Sequence, residues 1–466
     1  MIVLVSRDSK DLWKHEYLRK YVQKRVPVVP VKILCCEPNE EALCAGKDVY
    51  YLLEGYKEFI ETHGEMSVGA LASLHGAQSE MVPSSLYRGD RRYVFNLVPE
   101  KELALQQVYF VEQTKLLFEE LRPDFVFMMG GGNLSRNAVY LVGERLGIPC
   151  YRILNTSYLN PNRKGVRYWF STNNFCRLSN REKDRFRYSE AEVRKHASEL
   201  ITSIEKTIYR LDRQARTVAR KKRVSLETSA VFRDLKTVMI TRNVGLSKKR
   251  QSWARLNSLK NHILNNRLAT DPREIPKPFF LFPLNVPEDA QLVLRAPHLR
   301  DLLSICEQVA NVLPYGHTLA IKEHPGHPGM IDYYRLKTVL RYHRNMVFVR
   351  AEEKLWDLLG ETSALIAVNS TAAIEALVRN IPVVTVGEAF YKGTGLTYDV
   401  EYPLHLQRVL SEVISDPMRD ARAEMLLSTL CSILQETVPE PGVIEAEENY
   451  LDVIAEGILR KTRENG

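Results

Sequence analysis

Short apolar runs separated by amphipathic stretches organise the N-terminal third of the chain. Ile2–Ser6, Val28–Cys35, Val49–Leu53, Phe125–Met129 and Cys150–Leu154 are rich in Val, Ile, Phe or Tyr and are bounded by turn residues or charge. Continuous apolar runs of this kind are the strands of a parallel sheet covered on both faces. Between the last two, Asn137–Gly147 reads as a helix that a glycine ends before Ile148-Pro149. A second series follows at Phe279–Pro283, Thr318–Lys322, Met346–Arg350, Leu365–Val368 and Val383–Val386. The expected fold is α/β, with two doubly wound Rossmann-like domains over 1–180 and 271–440. Between them the period changes. Ile201, Ile204, Ile208, Leu211, Ala215 and Val218 recur at helical 3-4 spacing on a basic background, and Trp253, Leu256, Leu259 and Ile263 suggest a second helix. Residues 181–270 therefore read as a basic helical insertion, a hairpin or bridge, closed by a linker at Pro272, Pro276 and Pro278. The amphipathic stretch Val443–Leu459 predicts a C-terminal helix over 441–466 that packs back on the first domain.

In a doubly wound fold the ligand lies beyond the carboxyl ends of the strands, so the residues after each strand are where chemistry is expected. Thr318–Lys322 runs into Glu323-His324-Pro325. The proline ends the strand and leaves an imidazole at its carboxyl end, where a ring nitrogen can donate to a phosphate oxygen. Lys322 would add a charge, although strand alternation turns it away from the side of Glu323. Read alone, the pair also fits a plain surface turn. The strand Leu365–Val368 is followed by Asn369-Ser370-Thr371, which opens the helix Ala372–Arg379. These are N-cap residue types, and with the free N–H groups of a helix start they favour an anion. Glu375 lies one turn on and is within reach of a ribose hydroxyl, although an ordinary capped helix would look the same. After Val383–Val386 the loop holds Gly387, Tyr391 and Gly395, whose glycines permit close approach of backbone to ligand. No GxxxxGK[ST] loop is present, which argues against kinase-type ATP binding.

The order His-Pro, then Asn-Ser-Thr-(x)3-Glu-Ala-Leu, then Pro-Val-Val-(x)2-Gly-(x)2-Phe-Tyr-(x)3-Gly-Leu-Thr resembles the bacterial capsule polysaccharide biosynthesis family, which includes Kdo transferases. The resemblance covers about residues 278–400. It implies a glycosyltransferase-B fold, a nucleotide-sugar donor of the CMP type such as CMP-Kdo, and a surface-polysaccharide or glycolipid acceptor. By the same resemblance His324 and Pro325 hold the cytidine phosphate region, and Ser370 and Thr371 hold phosphate. On the N-terminal side, Gly131, Gly132 and Asn133 follow the strand Phe125–Met129 and suit an acceptor or sugar. Tyr158-Leu159-Asn160-Pro161 is similar to a Tyr-Leu-x-Pro element of the family. Many relatives carry a glutamate just before that element, whereas this chain reads Leu154-Asn155-Thr156-Ser157. Asp8, after the first strand, is the spare carboxylate, and no catalytic base is assigned.

Composition sharpens this picture at three points. The chain has 466 residues, 45% apolar and 26% charged, which excludes a disordered, collagen-like or small disulfide-scaffold protein. Residues 181–270 hold 23 Lys/Arg against 9 Asp/Glu, whereas the whole chain is only +8, so the basicity belongs to one segment. A polyanion-binding scaffold is the non-enzyme alternative for that segment. An anionic membrane surface is the partner it suits, since a basic helix without interleaved aromatics offers nucleic acid only salt-sensitive phosphate contacts. Seven cysteines form no CxxC, and neither Asp-x-Asp nor HExxH occurs, so neither a metal nor a cofactor is expected beyond the nucleotide sugar. The first residues form a strand with no basic n-region or apolar h-region, and no run reaches the ~18 apolar residues of a membrane span. A cytoplasmic protein is expected, peripheral to the membrane at most. A sugar-nucleotide epimerase and a CDP-polyol phosphotransferase remain alternatives on the same architecture.

Overall fold

The computed structural model describes residues 1–8, 11–37, 48–67, 98–130, 133–155, 168–172, 191–205, 246–287, 295–438 and 450–465, with 70 and 292 as single positions between. The chain divides into two compact units, Met1–Cys176 with Leu434–Gly466, and Arg177–Ile433. Each is a doubly wound α/β domain.

The first unit is built on a seven-stranded sheet. Its strands are β1 (Ile2–Asp8), β2 (Val31–Glu37), β3 (Val49–Tyr51), β4 (Phe125–Met129), β5 (Cys150–Asn155), β6 (Tyr168–Ser171) and β13 (Thr437–Val438), in the order β13-β6-β5-β4-β1-β2-β3. From β3 to β5 every pairing is parallel; β6 and β13 are antiparallel additions. The alternation of β1 explains why a continuous apolar strand is needed here. Ile2 and Leu4 pack to one side with α1 (Leu12–Arg25), and Val3 and Val5 pack to the other with α3 (Glu100–Leu121) and α4 (Leu134–Arg145). A shorter helix, α2 (Tyr56–His63), packs near α3. The helix Tyr450–Asn465 completes the α1 layer: Leu451, Ile454 and Ile458 share a core with Leu18 and Val22. The Tyr17 hydroxyl donates to Asp452 and the Tyr21 hydroxyl to Glu456.

The second unit has a six-stranded, wholly parallel sheet in the order β12-β11-β10-β7-β8-β9. These strands are β7 (Phe279–Pro283), β8 (Thr318–Lys322), β9 (Met346–Val349), β10 (Ala364–Ala367), β11 (Val383–Thr385) and β12 (Tyr398–Asp399). Phe279, Phe280, Leu281 and Phe282 of the central strand are all fully buried, two on each face. The helices are α5 (Leu246–Asn265), α6 (Leu302–Val312), α7 (Tyr333–Tyr342), α8 (Leu355–Leu359), α9 (Ala372–Val378), α10 (Leu406–Ser415) and α11 (Arg422–Glu436), and α12 is the Tyr450–Asn465 helix above.

Three features differ from the sequence pattern. The strands β6, β12 and β13 were not expected; each is only two to four residues long, too short to show an apolar period. Second, α5 is not part of a free-standing bridge, because it packs into the second unit against the segment before α7. Third, residues 191–205 are helical with Val193, Ala197 and Ile204 buried, and Arg194 pairs with Glu424 of α11 at 2.6 Å. Residues 206–245, with most of the 3-4 seam, lie outside the described residues. Among the described residues no helix is long and apolar enough to cross a membrane.

Candidate functional site

The chain enters the second sheet at β7, steps outward through β8 and β9, and then returns to the other side of β7 with β10. That reversal opens a crevice at the carboxyl ends of β7, β8 and β10. Three short segments meet there: Leu284-Asn285, Lys322-Glu323-His324 and Asn369-Ser370-Thr371. The backbone N–H of Leu284 donates to the Lys322 carbonyl at 2.8 Å. The Asn285 amide donates to the Asn369 side-chain oxygen at 3.1 Å, and both side chains are buried. This amide pair spans β7 and β10 at the point of reversal. Asn285 escaped the sequence reading because an asparagine after a strand is ordinary turn chemistry; its only signal was its place after the first strand of the domain.

His324 is exposed, as is Pro325. The Gly326 N–H donates to His324 Nδ1 at 3.0 Å. With Nδ1 accepting, a neutral ring carries its proton on Nε2, which is then the ring's donor. The His327 ring lies 6.3 Å from it, centroid to centroid. Lys322, expected to add a charge that stabilises the leaving group, is buried. It is 3% exposed, and its ammonium donates to the carbonyls of Glu323 and Ala351 at 3.2 and 3.0 Å. Burial lowers its pKa to about 8 against the pull of Glu352, Glu353, Glu323 and Glu375. Alternation says nothing of depth, and both Lys322 and Glu323 are buried.

On the β10 side the N-cap is also redistributed. Thr371 occupies the cap position with helical φ and makes no side-chain cap bond; it is exposed. The capping bond comes from Ser370, whose hydroxyl accepts from the Ala372 N–H at 3.2 Å. Glu375 keeps part of its surface, yet burial raises its pKa to about 7, with Lys322 drawing it down. The loop after β11 supports this edge from behind. A Cβ on Gly387 would lie 2.6 Å from a Val368 methyl and 2.7 Å from its carbonyl oxygen, so only glycine lets the loop close on β10. Tyr391, expected to face the donor, is fully buried, and its hydroxyl donates to the Ser370 carbonyl at 3.1 Å. It positions the Asn-Ser-Thr segment. Gly395 turns with φ 78° and is exposed.

The His-Pro loop rests on α5. The Asn261 and Asn265 amides donate to the carbonyls of Gly329 and Ile331 at 3.4 and 3.0 Å, and the Tyr333 N–H donates to Asn261 at 3.4 Å. The buried Glu323 carboxylate accepts from the Ile331 N–H at 3.3 Å. Burial pushes its pKa up, and the amides of Gly329, Ile331 and Met330 counter that. His262 pairs with Glu352 at 3.1 Å beside them.

The first unit has its own reversal, between β1 and β4. Asp8 ends β1 opposite Glu37. Asn133 stands at the cap of α4 but makes no cap bond; its amide donates to the Ser135 hydroxyl at 2.7 Å, and its oxygen accepts from Arg136. Arg136 also donates to the Met129 carbonyl. His15, buried on α1, has its ring nitrogens 2.9 Å from the Asp11 carbonyl and 3.1 Å from that of Val5. Burial lowers its pKa. Neither His15 nor Arg136 was singled out from sequence. Gly131, Gly132, Tyr158 and the stretch lacking the expected glutamate, residues 156–157, lie outside the described residues. Among the described residues no group of three His, Cys, Asp or Glu side chains could hold a metal ion.

Fold and site together define an α/β protein with a polar crevice at a topological switch point. The family model described as capsule polysaccharide biosynthesis protein matches residues 241–427, which contain every element of that crevice, and this bears out the resemblance drawn from the motifs. The capsule polysaccharide modification protein LipB of Neisseria meningitidis serogroup A is 31% identical over 126 residues, 26% of this chain; the serogroup B protein matches equally. The match spans 30% of the length of these curated relatives. Among solved structures, the KpsC β-Kdo 2,7 transferase of Thermosulfurimonas dismutans aligns with TM-score 0.32 and 14% identity over 70% of this chain and 81% of that one. The UDP-GlcNAc 2-epimerase of Neisseria meningitidis aligns with TM-score 0.24 and 11% identity over 99% and 100%.

Proposed function

We propose that the protein is a glycosyltransferase of the glycosyltransferase-B type that moves a sugar from a nucleotide donor to a surface-polysaccharide or glycolipid acceptor. A CMP-activated sugar such as CMP-Kdo is the donor of first choice. The supporting observation is the convergence of His324, Asn369, Ser370 and Thr371 at the reversal of the second sheet, inside the segment matched by the capsule family.

The chemistry follows from those groups. Cleavage of the sugar–phosphate bond leaves negative charge on the departing nucleotide. His324 Nε2–H and the Thr371 hydroxyl stand at the ends of β8 and β10, the two strands that flank β7, and donate to that phosphate, and preorganised donors in a water-poor crevice stabilise such charge by several kcal/mol. Glu375 meets the ribose, with Gly387 and Gly395 shaping the loop that backs this edge. Lys322 contributes only a background positive field from its buried position. The acceptor side is assigned to the carboxyl edge of the first sheet, around Asp8, Gly131, Gly132, Asn133 and Tyr158. The nucleotide sugar is the only co-substrate in this reading, and charge is met by protein groups rather than a metal. The enzyme works in the cytoplasm, with an anionic membrane surface as a partner of the 181–270 segment.

Thermal-shift screening with CMP, UDP, GDP and CDP tests the donor class, and nucleotide release from CMP-Kdo tests the reaction. Stabilisation by CMP and release of CMP are expected. No stabilisation by any of the four would sink the reading, and a new epimer formed from UDP-GlcNAc alone would favour the epimerase.

A further inference from the structure

The inner face of α5 holds the His-Pro loop, but its outer face has a composition that such a support does not require. Trp253, Lys260 and Arg267 follow one another at seven-residue intervals, the last in the turn after the helix, so they stand in one stripe. All three are exposed, Trp253 by 55%, and Ile263 beside them is 51% exposed. The stripe continues onto α7, where the Lys260 ammonium lies 5.6 Å from the Tyr334 ring centroid and Tyr334 is 64% exposed.

We propose that this face of α5, with Tyr334 of α7, docks on an anionic lipid bilayer. The proposal names the part of the basic segment involved. It rests on the membrane-side location given above and not on the donor chemistry.

The interleaving of side chains selects the partner. In a protein interface the Lys260 and Arg267 charges would be buried among Trp253 and Ile263, which is costly without matched carboxylates. At a bilayer surface both demands are met at once. Lys and Arg extend their charged ends to the phosphates while Trp, Tyr and Ile settle at the level of the headgroups and upper acyl chains. Anionic lipid is favoured over neutral lipid by about 1 kcal/mol for each basic side chain near the surface. The helix is about 10 Å across, so docking on the outer face would hold the His324 loop one helix away from the membrane.

Co-sedimentation of the full chain with vesicles tests this. Vesicles of phosphatidylcholine alone are compared with vesicles containing phosphatidylglycerol, at low and high salt. Binding is expected only to the anionic vesicles, weakened by salt. Joint Lys260→Glu and Arg267→Glu substitution should lower the partition coefficient at least about tenfold, and Trp253→Ala should lower it severalfold while leaving circular dichroism unchanged. Equal binding to both vesicle types, no binding to either, or anionic binding indifferent to these substitutions would overturn the proposal. Capture by single-stranded oligonucleotide without vesicle binding would also overturn it. CMP binding by the same samples, measured without lipid, separates this outcome from failure of the glycosyltransferase reading.

Discussion

At the scale of the residue, His324 depends on a backbone neighbour. The Gly326 N–H donates to Nδ1, which places the proton of a neutral ring on Nε2. His324→Ala should therefore lower kcat/KM by about a hundredfold or more. Because the side chain is exposed, stability should change by no more than about 0.5 kcal/mol. An unchanged kcat/KM would remove His324 from the site. Glu375 makes a different prediction, about pH. Its pKa rises from the ordinary 4.5 to about 7 in the folded chain. Between those values the folded state binds more protons than the unfolded state, so stability falls as pH rises through that window. Glu375→Gln should therefore be nearly neutral below about pH 4.5 and stabilising by about 1–3 kcal/mol above pH 7, read as a higher Tm. A variant less stable than the parent above pH 7 would show that the carboxylate is paired instead. The residue scale is also where sequence reading was weakest. The strand-end positions of His324 and Ser370 were legible because each follows a strand, but the burial of Lys322 and Tyr391 was not, because pattern gives direction along a strand or loop and not depth.

At the scale of the element, α5 carries the His-Pro loop. Gly329 has φ 79°, and a Cβ there would lie 1.8 Å from the Ser258 carbonyl oxygen, which belongs to the helix backbone and cannot move aside. Gly329→Ala should lower stability by about 2–4 kcal/mol and weaken CMP binding, since the displaced loop carries His324. Retained CMP affinity with an unchanged Tm would show that α5 does not position the loop. This support could not be read from sequence. The gripping residues, Ser258, Asn261 and Asn265, are polar, so the face that packs looks like the face that meets water. The strands were the opposite case. Phe125–Met129, Phe279–Pro283 and Thr318–Lys322 have the bounds their apolar runs gave, because a strand buried on both faces leaves no polar position to blur its ends.

At the scale of the whole molecule, charge and chain order separate two tasks. The side chains at the crevice of the second unit are an imidazole, amides and hydroxyls, whereas the basic surplus of 181–270 falls largely on residues outside those described. The C-terminal helix belongs to the first unit, where Ile454 and Ile458 are fully buried. Each such side chain is worth about 1.5–3 kcal/mol of burial. Deleting residues 450–466 should therefore unfold the first unit, read as new proteolytic cleavage within 1–176, while CMP still protects the second. The two-domain architecture was legible because both halves repeat the same strand–helix alternation; the acceptor side was not, because its chemistry sits in loops without periodicity. The central claim is that the reversal of the second sheet holds a nucleotide phosphate through His324. Isothermal titration of CMP into the full chain and into its His324→Ala variant tests it most directly. One site per chain, weakened at least about tenfold by the substitution, is the expected result. Equal affinity in both, or no heat from either, would contradict it.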